Sequence, residues 1–430
     1  MLSIAAVRQA FKALKHRNFQ LFWAGQGTSV IGTWMQTTAQ SWLIYRLTHS
    51  PLVLGVLTVA RFAPSLVVAP VSGHLADRFP RKPLVLITQS ASLVLATVLA
   101  VLTLTGLIRV EHILVLAFLQ GCVDSMDMTV RQTFQMDLVG PEDLQSAVSL
   151  NSAAFNSARM VGPFLAGILI YHLGEGLCFA LNAVSYVAVL VTLILIRVPA
   201  TGAAAVAPRR ASMGAAIATG MRYAWGSRSI RRVMLAVAMT SAVGLSVNTL
   251  TPALARDVLG TGSQGYGRLL AGAGIGAILG SLTAAAASTS RYAFVVNAAT
   301  LAGMGLSLLA LGLVRHLPAA ALCMLLVGSM SSIQLSTSNT FLQTSAPPEL
   351  RGRVVSMYVW LFQGSNPLGG FTAGWLASRA GIPRTVLLAG AACLAAGLGL
   401  GLTLPGWFRN RAGPAPAADD PGDSRAPADP

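Results

Sequence analysis

Long apolar segments, separated by short polar turns, constrain the fold of this 430-residue chain more than any other feature. A helix needs about 20 predominantly apolar residues to cross the hydrocarbon core of a bilayer. Backbone groups inside a bilayer must find hydrogen-bond partners within the protein, which makes helices the default structure of such segments. The pattern predicts twelve transmembrane helices, at residues 19–45, 52–76, 83–107, 112–137, 146–171, 177–197, 232–255, 264–287, 292–314, 318–344, 354–379 and 384–406.

Composition indicates the same class, an all-α membrane protein. Hydrophobic residues make up 54% of the chain and charged residues 10%, with a mean hydropathy of +0.65, whereas soluble domains carry about 25% charged residues. The net charge of +16 does not indicate nucleic-acid binding, because the bases lie in short loops between apolar spans. Most of these bases fall on one side, so the positive-inside rule predicts that both termini are cytoplasmic. We expect a monomeric, multi-pass protein in the lipid bilayer of the cell inner (cytoplasmic) membrane.

The spacing of the spans predicts five regions. Two bundles of six helices are separated by one long connection, whose second part reads as a short amphipathic helix. A segment rich in Pro, Ala and Asp follows the last span and has the composition of a disordered tail. The predicted regions are an N-terminal cytoplasmic segment (1–18), a first bundle (19–197), a cytoplasmic linker (198–231), a second bundle (232–408) and a cytoplasmic tail (409–430).

An internal repeat relates the two bundles. A shift of 207 residues, without a gap, places the pair Pro348 and Glu349 on Pro141 and Glu142, and Gly369 on Gly162. The shift equals six helices, so the halves are parallel repeats. Transporters of this kind have two pseudo-symmetric bundles that rock about a site near the bilayer midplane. A small-molecule substrate bound between the bundles is therefore expected.

Charged side chains inside a span are costly and suggest a function. Asp124, Asp127 and Arg131 follow one face of the fourth span. One interpretation is that Asp124 or Asp127 binds and releases a proton during transport. The other is that Asp127 and Arg131 form a structural ion pair that fixes helix packing.

Other polar residues within spans are candidates for lining a substrate cavity. Arg61 and Arg159 lie near the middle of the second and fifth spans, where they would bind an anionic substrate or neutralise the aspartates. The neutral candidates would give a hydrogen-bonding cavity or, as the competing interpretation, hydrogen bonds between helices. They are Gln26, Thr33, Gln36, Gln40, Gln334, Asn339, Trp360, Gln363 and Asn366.

Two short motifs have structural interpretations. The turn at residues 73–82 concentrates charge in a chain that has little of it, which predicts a position at the water boundary; it contains Gly73, Asp77, Arg78, Arg81 and Lys82. In the fifth span, Gly162, Pro163 and Gly167 form a pattern that lets helices approach closely and kink.

Enzymatic motifs do not occur in the sequence. It contains neither a nucleotide-binding loop of the form G-x-x-x-x-G-K-[ST] nor a nucleophile–base motif. Its six histidines and four cysteines do not have metal-binding spacing. The sequence therefore predicts no enzyme, no cofactor and no metal site.

The 73–82 turn, the twelve spans and the parallel halves resemble the major facilitator superfamily. Further runs are similar to its enterobactin-exporter-like branch, which includes macrolide-efflux-type proteins. These runs are Gly32-Thr33-Trp34-Met35-Gln36, Pro141-Glu142-Asp143-Leu144, Arg159-x-x-Gly162-Pro163 and Arg351-Gly352-Arg353. The resemblance implies a secondary active transporter that exports a small amphipathic molecule by proton antiport, with a siderophore as the preferred interpretation of the substrate. Macrolide or multidrug efflux is the alternative, and a non-transporting receptor or partner subunit is the alternative of another class.

The resemblance also implies an electrostatic latch between the bundles, formed by the 73–82 turn. Asp77 would pair with the start of helix eleven, near residues 351–354, when the transporter is open to the outside. Arg81 and Lys82 would pair with an acid at the end of helix four, Asp137. Two positions depart from the superfamily pattern, because Pro80 replaces a glycine and Ala117 replaces an arginine often linked with proton coupling.

Overall fold

The computed structural model describes residues 11–197, 222–223, 225–286 and 293–402, without the side chains of residues 66–67, 69–71, 73–77, 286 and 348–349. Several predictions therefore concern residues outside this description. They are the predictions for residues 1–10, most of the 198–231 linker, the tail at 409–430, and the side chains of Gly73 and Asp77.

The described residues form helices throughout. A 3₁₀ turn (Lys12–Lys15) precedes them, and the two π-helical turns Thr240–Gly244 and Leu254–Val258 flank α7, so that α6 and α7 form one helix, Arg228–Val258. The helices are α1 (Arg17–Thr48), α2 (Pro51–Arg78), α3 (Arg81–Leu104), α4 (Val110–Leu173), α5 (Glu175–Leu195), α6 (Arg228–Met239), α7 (Val247–Ala253), α8 (Gly262–Ala286), α9 (Ala293–Leu313), α10 (Leu317–Ser345), α11 (Pro348–Ala380) and α12 (Ile382–Leu402).

Helix α4 contains two of the predicted spans, joined by a sharp kink. Gly140 has φ 72° and ψ 173° inside the 64-residue helix, a conformation that glycine adopts without steric cost. Pro141 follows it and cannot continue the hydrogen-bond ladder. The chain therefore reverses at residue 140, and α4 has a first limb before the kink and a second limb after it.

Among the described residues, eight helices are long and apolar enough to cross a membrane. They include α4, whose two limbs each provide one crossing. Helices α1 and α11 have 32 and 33 residues but fall outside the eight because they carry many polar side chains. The apolar stretch of α2 that is fully described, Pro51–Ser65, is shorter. With these three helices, the described part of the chain provides the twelve predicted crossings.

The helices pack as two bundles, α1–α5 and α6–α12, that meet along two seams. One seam joins the second limb of α4 to α8, and the other joins α2 to α11. Glycines allow the close approach, since a Cβ at Gly167 would lie 2.9 Å from Gly267 Cα, and one at Gly374 would lie 2.5 Å from the Pro51 carbonyl oxygen. Gly167 and Gly374 are 207 residues apart, so the seams are related by the repeat.

The apolar core is continuous between the bundles at one end only. We call the end that carries Arg17, Arg81 and Arg228 the basic face, and the opposite end the far face. Near the far face, one buried cluster runs through both bundles and includes residues such as Tyr45 and Leu254. Towards the basic face, each bundle has a separate buried cluster. The space between the bundles is thus closed at the far face.

Candidate functional site

Arg61 of α2 and Asp124 of α4 form an ion pair in the first bundle. Arg61 Nη2 lies 3.2 Å from Asp124 Oδ2, and the side chains are 14% and 41% exposed. Gly121 permits this contact, because a Cβ at that position would lie 2.1 Å from the Arg61 carbonyl oxygen. Gln120, one turn earlier on α4, donates hydrogen bonds to Asp124 Oδ1 at 2.7 Å and to Ser92 Oγ at 3.1 Å. Asp124 therefore has a polar partner on each carboxylate oxygen and an accessible side.

Asp127 has different surroundings, although it lies only three residues further along α4. Its side chain is buried, and Oδ1 accepts hydrogen bonds from Thr88 Oγ1 at 2.7 Å and Gln89 Nε2 at 2.8 Å. Its other oxygen pairs with Arg131, four residues ahead on the same helix. This carboxylate thus binds α3 to α4 and has the geometry of a packing ion pair.

Arg159 lies on the second limb of α4 beside two aromatic rings. Its guanidinium carbon is 5.8 Å from the centre of the Trp34 ring, which contacts Phe155 edge to face at 5.7 Å. Gly162 brings α1 this close, since a Cβ there would lie 2.6 Å from Trp34 Cβ. Among the described residues no carboxylate forms an ion pair with Arg159. Sequence reasoning missed Phe155, although its spacing of four residues from Arg159 was available.

Four of the neutral cavity candidates are buried within a bundle. Gln36 accepts a hydrogen bond of 2.7 Å from Asn182 Nδ2, and Gln40 donates a hydrogen bond of 3.3 Å to the Ile113 carbonyl oxygen. Gln334 accepts from Thr240 Oγ1 at 2.6 Å and donates to the Ala236 carbonyl at 3.2 Å. Gln26 is 4% exposed. The hydrogen bonds of Gln36, Gln40 and Gln334 therefore join helices within a bundle.

The remaining candidates are more accessible. Trp360 of α11 is 56% exposed, and Gln363 and Asn366, on the same helix, are partly exposed. Asn339 of α10 is partly exposed and accepts 3.1 Å from Gln343, and Thr33 lies 3.3 Å from the Tyr186 hydroxyl. The accessible candidates of the second bundle thus lie on α10 and α11.

The basic face holds the predicted 73–82 turn, which is shorter than expected: α2 continues to Arg78 and α3 begins at Arg81, so only residues 79–80 lie between the helices. Arg81 Nη1 lies 2.5 Å from Asp137 Oδ1, within the first bundle. Lys82 does not reach that acid and donates 2.7 Å to the carbonyl of Ile196, at the end of α5. Arg78 is exposed. The pairing of Asp77 with the start of α11 remains a prediction, since its side chain is outside the described residues.

Asp143 anchors the 3₁₀ turn that precedes α1, a contact that sequence reasoning did not find. Its carboxylate is 2.7 Å from Lys15 Nζ and 2.8 Å from His16 Nε2, and is 3% exposed. The pKa of Asp143 is lowered to about 2 from 3.8. The main cause is the hydrogen bond from Lys15, and the hydrogen bond from His16 is the second. The N-terminal turn is thereby fixed just beyond the α4 kink.

At the far face, polar and aromatic contacts join the bundles. The Tyr45 hydroxyl donates to Asp257, which lies in the π-helical turn after α7. Trp42 stacks on Tyr266 with 5.9 Å between ring centres. These residues were not predicted either, because their importance depends on which helices meet.

The described residues contain no group of three or more His, Cys, Asp or Glu side chains that could hold a metal ion. All four cysteines are free.

Comparison with known proteins gives the family. Residues 8–415 match a family described as transmembrane secretion effector, a family of transporters rather than enzymes. The chain is 26% identical to the staphyloferrin A transporter of Staphylococcus aureus (89% of this chain, 93% of the relative) and 28% identical to the multidrug efflux pump Tap of Mycolicibacterium fortuitum (85% and 88%). It is 26% identical to the enterobactin exporter EntS of Salmonella typhimurium (80% and 81%).

Solved structures agree in fold. The nucleoside transporter NupG matches with a TM-score of 0.71 at 11% identity, covering 90% of this chain and 99% of that one. An inward-facing bacterial homologue of the lysosomal transporter Spinster matches with a TM-score of 0.71 at 15% identity, covering 92% and 98%. The predicted superfamily and fold are thus confirmed, as is the prediction that the chain is not an enzyme. The chain belongs to the transmembrane secretion effector family of the major facilitator superfamily and is a multi-pass membrane transporter of a small molecule.

Proposed function

We propose that this transporter exports a siderophore from the cytoplasm by proton antiport with alternating access. The observation that carries the proposal is the half-exposed Asp124 carboxylate, held by Arg61 and Gln120 on helices of the first bundle. Desolvation favours a neutral carboxyl group and a nearby arginine favours the charged form. A change in the Arg61–Asp124 contact between the two states would therefore bind or release a proton.

The arrangement of the bundles supports a conformation open to the basic face, which we take as the cytoplasmic side. The bundles share their core only near the far face. Phe155 and Trp360, near mid-span in opposite bundles, are 49% and 56% exposed. A compound from the cytoplasm would reach these rings, Arg159 and Asp124 without a helix moving aside.

Charge supports an anionic substrate. Arg61 and Arg131 each have an aspartate partner, whereas Arg159 has none among the described residues. One uncompensated positive charge beside Trp34 suits an amphipathic anion, because a guanidinium binds carboxylates and the ring binds an apolar or aromatic surface. Siderophores are chelators rich in carboxylate or catecholate oxygens, and two relatives are named for staphyloferrin A and enterobactin.

The second candidate function is efflux of macrolides or mixed drugs. The relative Tap, a multidrug efflux pump, and the exposed aromatic rings favour it. A cationic drug would meet repulsion from Arg159, so the two functions differ in the sign of charge that the site accepts.

Export from cells lacking the gene distinguishes the candidates. We expect such cells to accumulate their siderophore inside and to retain normal macrolide levels. Re-expression of the wild-type gene should restore export, and an uncoupler should abolish it again. Macrolide accumulation with normal siderophore export would establish the alternative, and no change in either would contradict transport of both classes.

Arg159 supplies the matched test of substrate charge. We expect Arg159→Gln to raise the KM for siderophore export about tenfold, the loss that accompanies a charge-assisted hydrogen bond. Arg159→Lys, which keeps the charge, should have a smaller effect. An unchanged KM in Arg159→Gln would contradict recognition of the anion by this side chain.

A further inference from the structure

Arg268 lies on a helix face that is otherwise apolar and exposed. Along α8, the exposed residues Ile275, Leu279 and Leu282 follow Arg268 at steps of seven, four and three, and are 41%, 49% and 63% exposed. Such steps keep residues on one side of a helix. Since α8 spans the membrane, this stripe faces lipid, and Arg268 is the charged residue on it.

A crevice opens beside Arg268 at the seam between the bundles. It has a volume of about 450 Å³ and is bounded by the second limb of α4, by α8 and by α10. Among its described lining residues, Arg268 is the charged one and the others are apolar or glycine; Met160, Phe164, Ile275, Leu322 and Leu325 are examples. Phe164 and Leu322 are 43% and 57% exposed, so the crevice is open to lipid.

The depth of Arg268 suits a lipid headgroup. It is six residues after the first residue of α8, or about 9 Å along the helix axis from the far face. A long arginine side chain at this depth extends its guanidinium towards the interface while its stem stays in the hydrocarbon. Among the described residues no carboxylate pairs with it.

We propose that Arg268 and this crevice bind one anionic phospholipid of the far-face leaflet. The phosphate accepts hydrogen bonds from the guanidinium, which binds phosphate in bidentate geometry, and one acyl chain lies in the apolar crevice. The lining comes from both bundles, so a bound lipid would lie against the α4–α8 seam. A phospholipid fits better than a soluble anion, since the crevice offers one cation and otherwise apolar surface.

The test measures lipid binding to the purified full chain by native mass spectrometry. Wild type is titrated with phosphatidylglycerol and with phosphatidylcholine of the same acyl chains. We expect wild type to prefer phosphatidylglycerol and Arg268→Gln to lose about tenfold in affinity for that lipid. Arg384→Gln is the matched control, because Arg384 is an exposed arginine at the same face, on α12.

Filling the crevice tests the acyl chain separately from the charge. Leu322→Phe and Leu322→Trp keep Arg268 and should both lower the affinity for phosphatidylglycerol; size-exclusion chromatography identifies whichever of them fails to fold. Equal binding of phosphatidylglycerol by wild type and Arg268→Gln, or no preference between the lipids, would overturn the proposal. The assay measures binding alone, so it is independent of the proposed export.

Discussion

Asp124 and Asp127 are three residues apart on α4, yet their carboxylates have different surroundings. Asp124 points to α2 and contacts Arg61, with a side chain 41% exposed. Asp127 points to α3 and is buried among Thr88, Gln89 and Arg131. A carboxylate that exchanges protons needs access and a partner that can change, whereas a packing ion pair needs neither.

The contrast predicts different effects of the same substitution. Asp127→Asn should lower the free energy of unfolding by about 3 kcal/mol, because it leaves Arg131, whose side chain is 19% exposed, without its carboxylate partner. Asp124→Asn should retain stability but lose proton-driven export, while still exchanging substrate across the membrane without a gradient. Thermal unfolding and transport in proteoliposomes measure the two effects.

Each variant is the control for the other. Full proton-driven transport by Asp124→Asn would contradict its role as the proton carrier. Normal stability of Asp127→Asn combined with lost proton coupling would exchange the roles of the two aspartates.

Asp143 provides a third residue whose surroundings predict a measurable effect. Asp143→Asn should release the Lys12–Lys15 turn, because it removes the negative charge that Lys15 and His16 contact. Hydrogen exchange of the N-terminal amides should rise in this variant. Glu142→Gln is the matched control, since Glu142 is the exposed neighbour of Asp143 and its change should have little effect.

The same contact has a defined pH dependence. The pKa of Asp143 is lowered in the folded protein, to about 2 from 3.8. A carboxylate with a lowered pKa contributes stability that is present above its ordinary value and is lost as the pH falls through the folded value. Docking of the turn should therefore depend little on this carboxyl above about pH 4 and weaken between about pH 4 and pH 2. Release of the turn in the wild-type protein at a pH well above 4, with no difference from Asp143→Asn, would contradict the role given to this carboxylate.

At the scale of elements, the number and positions of the helices could be predicted because each span must satisfy its own backbone hydrogen bonds. The reversal within α4 also has a sequence cause in Gly140 and Pro141. The π-helical turns around α7 could not be predicted, as no residue pattern specifies them. The partners of each helix could not be predicted either, because a lipid-facing and a helix-facing leucine look alike in sequence.

The candidate site could also be predicted only in part: its charged residues could be identified from the sequence, but the surroundings of its neutral residues could not. Intramembrane charges such as Asp124 and Arg159 are conspicuous because they are rare. Periodicity shows that Gln36 and Gln363 avoid lipid but not whether a neighbouring helix or a cavity is on the other side. Gln36 is hydrogen-bonded to Asn182, whereas Gln363 is partly exposed.

The contact of α2 with α4 depends on one glycine. Gly121→Ala should separate these helices and weaken the Arg61–Asp124 pair, because the added Cβ would lie 2.1 Å from the Arg61 carbonyl oxygen. We expect a loss of about 1–3 kcal/mol in stability together with reduced transport. Gly27→Ala on α1 is the control, since nothing lies within 4 Å of its added Cβ. Equal stability of the two variants would contradict this account of the packing.

At the scale of the whole molecule, the far-face contacts would hold one of the two states in the alternating-access cycle proposed above. They include the Tyr45–Asp257 hydrogen bond, the Trp42–Tyr266 stack and the seams. Opening to the other side must break them. The latch predicted for Asp77 would then hold the opposite state, and Asp77→Asn should slow transport without changing which substrates are carried.

Cross-linking the bundles at the far face tests this motion directly. Thr58 and Thr249, one from each bundle, have hydroxyl oxygens 3.4 Å apart, so cysteines at these positions are within reach of a disulfide. In a Cys122→Ser background, oxidation of Thr58→Cys combined with Thr249→Cys should arrest export, and reduction should restore it. Asn297→Cys with Ser338→Cys joins α9 to α10 within one bundle, where the native side chains are 2.8 Å apart, and should leave export intact. Bundles that move as rigid bodies tolerate the second cross-link and not the first, so continued export with the first pair oxidised would contradict rocking about the site.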